Sequence, residues 1–237
     1  MKSYLRVLLL LPGAILVGGI AALIIAAKAN SNVGPTNPPR TIVIGVDLSA
    51  SNPLIRDSAF AYRVAERIKP LISGLAPHSR IIFRSFGAYN SSANSPLTID
   101  ITIAPKTARA EDMANLISSV IAGVPRMVQQ GRLQPQNATN IVPFLLNMAK
   151  IVDCRAMLTH VILASDGVED SQVANLARRN ATLPSPPSAP FPGCEDLQIL
   201  GIGRGLNSPS DTERLRGEWH YWSQAAGFKG FIGLNDW

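Results

Sequence analysis

Three oxygen-bearing side chains follow the first apolar run of the sequence that lies outside its N-terminus. Residues 41–47, TIVIGVD, form a nearly continuous β-branched run, which predicts a strand buried on both faces. Asp47, Ser49 and Ser51 then come at alternate positions where that strand should end. Carboxyl and hydroxyl groups in a row at the exit of a buried strand indicate a binding site.

Two more polar residues occupy comparable places. Thr139 stands immediately before an apolar stretch with helical spacing, and Asp166 follows a strand-like run within LASDGVED, residues 163–170. In α/β sheets, ligands bind beyond the carboxyl ends of the strands, where the strand order reverses. We therefore expect these two residues to join Asp47, Ser49 and Ser51 at one edge of the sheet.

These five side chains suit a hard divalent cation. Two carboxylates and three hydroxyls are the oxygen ligands that Mg²⁺ prefers, with Mn²⁺ or Ca²⁺ as alternatives. The absence of His and Cys from the set argues against zinc. Two negative charges balance the ion but leave it short of protein ligands, so a carboxylate from outside the chain can fill an open position.

Strand-like and helix-like segments alternate along the chain, which predicts an α/β fold with a mostly parallel sheet wrapped on both faces. Six strands are predicted, at 41–47, 80–86, 97–104, 157–165, 197–203 and 228–234. Strict alternation of apolar and polar residues in the third suits an edge strand. Five helices are predicted, at 55–74, 107–123, 139–152, 170–180 and 210–227.

The motifs together resemble the von Willebrand factor type A (vWA) domain and its metal-ion-dependent adhesion site. DLSAS matches the Asp-x-Ser-x-Ser element of that family, ATNI its threonine loop and SDGVED its Asp-Gly turn, in the family's order. The resemblance spans roughly residues 41–235 and implies a doubly wound, Rossmann-like fold. It also implies that the serines and Thr139 contact the metal, and that Asp47 and Asp166 bind it directly or through water.

The sequence near the N-terminus predicts a membrane segment. Residues 7–27 carry no charge, and as a helix they would be about 31 Å long, close to the thickness of a bilayer's hydrocarbon core. We predict a signal anchor over 1–28 with its N-terminus in the cytoplasm, a linker over 29–40 and the vWA domain over 41–237. The alternative is a secreted protein whose signal peptide is cleaved near Ala29.

Cysteine usage fits an exported domain. Cys154 and Cys194 each lie a few residues before a predicted strand, so their sulfurs share one edge of the sheet if those strands are parallel neighbours. We expect them to form a disulfide; the alternative is two unpaired thiols in a cytosolic protein.

Two other features carry less weight. GIGRG, residues 201–205, lacks the last glycine of a dinucleotide-binding motif and follows the fifth strand, so we predict a tight turn. The net charge of +6 comes from basic residues that are spread along the chain, so no nucleic-acid partner is expected.

The sequence predicts a membrane-anchored, extracytoplasmic protein-binding module, in the periplasm if the source is bacterial, and not an enzyme. It would engage an unidentified protein partner through a carboxylate that completes the coordination of Mg²⁺. Two alternatives stay open at this point. One is a Mg²⁺-assisted phosphate hydrolase; the other is a structural subunit of an envelope assembly in which the metal site is idle.

Overall fold

Six strands form one sheet in the computed structural model, which describes residues 37–88, 97–206 and 208–237. The strands are β1 (Arg40–Asp47), β2 (Arg80–Phe86), β3 (Thr98–Thr102), β4 (Leu158–Ala164), β5 (Asp196–Leu200) and β6 (Gly230–Leu234). Their order is β3-β2-β1-β4-β5-β6, and β3 pairs antiparallel while the others pair in parallel. The predicted mostly parallel sheet, with the third strand at an edge, is confirmed.

Helices cover both faces of this sheet. The described part of the chain contains α1 (Ser58–Ser73), α2 (Ala110–Gln129), α3 (Ile141–Ala149) and α4 (Pro209–Ala226), with a short 3₁₀ helix, Pro53–Ile55, before α1. Buried residues of α1 and α2 pack in one cluster with one face of the sheet, and those of α3 and α4 pack in a second cluster with the other face. The doubly wound architecture is therefore confirmed.

Alternate side chains of β1 pack into the two clusters on opposite faces of the sheet. Ile42 and Ile44 belong to the cluster of α1 and α2, whereas Val43 belongs to the cluster of α3 and α4. Gly45 lets α3 approach the sheet closely, because a Cβ atom there would lie 2.7 Å from the Phe144 ring. The near-continuous apolar run of β1 thus reflects burial on both sides.

One predicted helix is wrong. Residues 170–180 form turns and isolated bridges instead of a helix. Asp170 pairs through its backbone with Thr139, and the Asn175 side chain donates to the Asp170 carboxylate at 2.8 Å. These bonds take backbone and side-chain groups away from a helical ladder, a competition that Asn and Asp often win.

The helix boundaries also differ from the prediction, most clearly in α1 and α2. α1 begins only at Ser58, where the Asp57 carboxylate caps it by accepting from Phe60 N–H, and it continues past Pro70. α2 runs through Gly123, the residue predicted to end it. Its apolar side chains are buried against α1 on both sides of that glycine, and such tertiary packing outweighs local propensity.

The predicted membrane segment within residues 1–28 lies outside the described residues, as does most of the predicted linker. Among the helices of the described residues, none combines the length and the apolar character needed to cross a bilayer. Residues 38–237 form one compact unit.

A disulfide joins Cys154 to Cys194, as expected. Cys154 lies in the connection between α3 and β4, Cys194 lies just before β5, and those two strands are parallel neighbours. The bond therefore ties together the two chain segments that enter adjacent strands at the same edge of the sheet.

Loss of this bond should destabilise the fold. It closes a loop with a sequence separation of 40, for which the loss of chain entropy in the unfolded state corresponds to about 4 kcal/mol. We expect dithiothreitol to lower the free energy of unfolding in urea by up to that amount. A protein carrying both Cys154→Ser and Cys194→Ser should show the same lowered stability, and dithiothreitol should not lower it further. If dithiothreitol lowered the stability of this variant as much as that of the wild type, the disulfide would not be the source of the effect.

Candidate metal centre

Asp47 is the most buried acidic group of the candidate site. It is the last residue of β1 and has no exposed surface. Its Oδ1 accepts from Ser49 N–H at 2.8 Å, and its Oδ2 accepts from the Ser165 hydroxyl at 2.7 Å. Both carboxylate oxygens are therefore held in a fixed orientation by short hydrogen bonds.

The loop after β1 turns the two serines toward one another. The hydroxyl oxygens of Ser49 and Ser51 are 3.2 Å apart. Asn52 secures this loop to the sheet, because its side-chain amide donates to the carbonyls of Asp47 at 2.8 Å and Ala164 at 3.1 Å. Asn52 thereby connects the carboxyl ends of β1 and β4.

Asp166 follows the end of β4 and is only 3% exposed. Its Oδ1 accepts from Val168 N–H at 2.9 Å, and the Ser51 hydroxyl lies close enough to its carboxylate to lower the pKa of Asp166. Gly167 has a φ of 73°, and its carbonyl accepts from Trp219 Nε1 at 2.7 Å. Asp166 is thus joined to the serine loop and held in place by α4.

Thr139 is also buried at this edge but joins the site through its backbone. Its N–H donates to the Asp170 carbonyl at 2.9 Å, and its carbonyl accepts from Asp170 N–H at 3.0 Å. Within the described residues its side chain makes no hydrogen bond to the other four predicted ligands. Hydrogen bonds therefore link Asp47, Ser49 and Ser51, and Asp166 lies beside Ser51, while Thr139 is tied to the loop that follows Asp166.

Three residues that sequence reasoning missed support this arrangement. Asn52 and Ser165 make the contacts described above. Glu169 is buried, and its Oε2 accepts from Val142 N–H at 2.9 Å in the first turn of α3, so it fixes the helix that follows Thr139. Ser165 and Glu169 lie within LASDGVED, but nothing in that stretch indicates which partners they meet.

Burial dominates the electrostatics of the cluster. It raises the pKa of Asp47 to about 7, with the neighbouring Asp166 charge adding to the effect, and it raises the pKa of Asp166 to about 6. Burial likewise raises the pKa of Glu169 to about 7. No salt bridge among the described residues involves any of these three carboxylates.

The donor set fits Mg²⁺ and similar hard cations. Buried carboxylates that lack a cationic partner are costly, and a divalent ion would relieve that cost. The described residues contain no group of three His, Cys, Asp or Glu side chains placed to hold a metal ion. Any ion at this edge would therefore need the serine and threonine hydroxyls in addition to the two aspartates.

Two solved structures align with most of this chain. No protein-family model and no curated protein matches the chain. Among solved structures, a crystal structure of the pilus adhesin SpaC from Lactobacillus rhamnosus GG aligns with a TM-score of 0.43 and 12% identity. The human COPII-coat protein Sec24c aligns with a TM-score of 0.40 and 11% identity. Each alignment covers 85% of this chain but only 29% or 30% of the other, less than a third of its length.

The raised pKa values predict how the stability of metal-free protein depends on pH. Asp47 and Asp166 hold their protons in the folded state up to pH values at which the unfolded chain has already lost them. The free energy of unfolding should therefore fall as the pH rises from about 4 to about 7. Asp47→Asn keeps the shape of the side chain but cannot ionise. In chelator, this variant should be more stable than the wild type at pH 7.5 by on the order of a few kcal/mol.

Urea unfolding of both proteins at pH 4.5 and pH 7.5 measures this difference. The two proteins should differ much less at the lower pH, where the wild-type carboxyl is protonated. A difference between them that did not change with pH would show that burial of the Asp47 charge is not what destabilises the metal-free fold.

Proposed function

We propose that this chain is a vWA-type protein-binding module that binds Mg²⁺, with Mn²⁺ or Ca²⁺ as possible substitutes. The observation that carries the proposal is the pair of buried carboxylates, Asp47 and Asp166, which lie beside serine hydroxyls and form no salt bridge among the described residues. The resemblance of DLSAS, ATNI and SDGVED to the metal-ion-dependent adhesion site supports the same assignment. The ligands would be Asp47, Ser49, Ser51, Thr139 and Asp166.

The same donor set supports recognition of a carboxylate. Hydroxyl oxygens are neutral, so the five side chains bring only two negative charges to a doubly charged ion. A bound Mg²⁺ would supply a hard Lewis-acidic position that takes an oxygen ligand from outside. We propose that an Asp or Glu side chain of a protein partner supplies that oxygen. Ser51 is the most exposed of the five, so it is the proposed ligand that solvent and a partner reach most easily.

We further propose that the domain functions outside the cytoplasm. The uncharged stretch over residues 7–27 supports a signal anchor, and the disulfide between Cys154 and Cys194 supports an oxidising compartment such as the bacterial periplasm. In this arrangement the N-terminus stays in the cytoplasm and the linker over 29–40 separates the domain from the membrane.

Partner capture should depend on the metal. We expect a crosslinking pull-down with the full chain to recover its partner in Mg²⁺ and to lose it in EDTA, with recovery when Mg²⁺ is added back. Asp47→Ala removes a ligand and should weaken Mg²⁺ binding by at least about tenfold in calorimetry, and partner capture should fall with it.

A matched control is Glu111→Gln, which neutralises an exposed carboxylate in the first turn of α2. The antiparallel β3 returns the chain to the opposite edge of the sheet before α2 begins, so this change should leave both measurements unaltered. Partner capture that persists in EDTA would refute the metal-bridged mechanism. Failure of the wild type to bind Mg²⁺ or Mn²⁺ would favour a structural subunit with an idle site, and Mg²⁺-dependent phosphatase activity lost in Asp47→Ala would favour the hydrolase.

The anchored location predicts a specific mass. Protein isolated from the membrane fraction should have the intact mass of the full chain, because a retained anchor keeps residues 1–28. A mature form that begins at Asn30 and fractionates without membranes would instead establish the secreted alternative.

A further inference from the structure

A polar cleft lies beside the candidate metal centre and has no role in holding the metal. It has a volume of about 580 Å³, within the range of about 300–1,000 Å³ typical of ligand sites. The loop that contains Thr139, the first turn of α3 and the loop after Asp166 form its walls. Residues that line it include Asn137, Asn140, Pro143, Asp170, Gln172 and Val173.

Asp170 is the charged group of this cleft. Its backbone pairs with Thr139, which places the cleft directly next to a predicted metal ligand. Its Oδ1 accepts from Asn175 Nδ2 at 2.8 Å, and no salt bridge in the described part of the chain involves its carboxylate. Asp170 is half-buried, so its charge faces the cleft with only partial access to solvent.

A divalent ion at the candidate centre would leave the charge of Asp170 unbalanced, because Asp47 and Asp166 together already balance a Mg²⁺ ion. A partner that offered only a carboxylate would bring a further negative charge to this edge, which is unfavourable. None of the described residues that line the cleft is Lys or Arg. A basic side chain from the partner would therefore give Asp170 the cationic partner that the cleft lining does not provide.

The cleft also provides apolar surface for the stem of such a side chain. Val173 is 42% exposed, Pro143 is half-buried, and both line the cleft. The aliphatic parts of Lys and Arg pack on apolar surface of this kind while their charged ends reach a carboxylate. The lining thus combines apolar surface for the aliphatic stem, the side-chain amides of Asn137, Asn140 and Gln172, and the Asp170 carboxylate.

We propose that the partner segment carries a Lys or Arg close to its metal-bound acidic residue, and that this basic side chain enters the cleft and pairs with Asp170. The proposal rests on the proposed function, because it assumes a carboxylate at the metal. It assigns Asp170 a role in partner specificity that is separate from metal binding. Asp170 pairs with the predicted ligand Thr139, so the two positions are neighbours. We therefore set the upper limit on the spacing at four residues, which span about 13 Å in an extended segment.

A display library of random 12-residue peptides tests the proposal. The full chain is used as bait in Mg²⁺, as wild type, as Asp170→Asn and as Glu111→Gln. Asp170→Asn preserves the shape of the side chain and leaves the backbone pairing with Thr139 available. We expect all three proteins to enrich peptides with Asp or Glu, and we expect only wild type and Glu111→Gln to enrich Lys or Arg within four positions of it.

The outcomes separate the two proposals. Acidic peptides without basic enrichment on the wild type, or equal basic enrichment on Asp170→Asn, would overturn the role of the cleft and leave the metal-bridged function standing. Peptides that lack acidic residues, or that bind equally in EDTA, would overturn both proposals.

A double-mutant cycle gives an independent measurement. In an enriched peptide, replacing the basic residue by Gln should weaken binding to wild type by about threefold to tenfold, the range expected for a partly exposed ion pair next to a charged site. The same replacement should change binding to Asp170→Asn by less than about twofold. Equal losses on both proteins would show that the basic residue does not contact Asp170.

Discussion

The burial of two carboxylates side by side, with no cation to pair them among the described residues, is the constraint on which the candidate site depends. Asp47 and Asp166 are almost completely buried. The carboxylate of Asp47 accepts hydrogen bonds from Ser49 N–H and from the Ser165 hydroxyl. Such bonds favour the charged form, yet desolvation outweighs them and raises both pKa values. The same low-polarity surroundings would strengthen the attraction of these carboxylates for a divalent ion.

The sheet topology explains why these two aspartates lie close together although Asp47 and Ser165, the residue before Asp166, are 118 positions apart in the sequence. After β1 the chain moves to β2 and β3 on one side, then returns to form β4 on the other side of β1. The strand order therefore reverses between β1 and β4, which is where ligands bind in doubly wound sheets. Asp47 ends β1 and Asp166 follows β4, so the two carboxylates flank that reversal. Asn52 bridges the same two strand ends.

Sequence patterns were sufficient for the sheet and for the acidic residues at its edge, but not for the contacts that fix them. Apolar runs locate β1 and β4 because strands buried on both faces leave a strong local signal, and the polar residues just after each run then mark the carboxyl ends. Ser165 and Glu169 leave no such signal, because their partners, Asp47 and Val142, are distant in sequence. Contacts of this kind follow from the tertiary fold and not from local spacing.

Residues 170–180 do not form the predicted helix, because hydrogen bonds to the Thr139 backbone compete with helix formation. In an α-helix beginning at Asp170, the carbonyl of that residue would accept from the N–H of residue 174. In the structure it accepts from Thr139 N–H instead, and Asp170 N–H donates back to Thr139. The Asp170 carbonyl cannot accept both the helical hydrogen bond and the one from Thr139 with good geometry. Helix formation here would therefore break the pairing between Thr139 and the loop that follows Asp166. The irregular backbone therefore ties Thr139 to the loop that follows Asp166, and it leaves Asp170 lining the adjoining cleft.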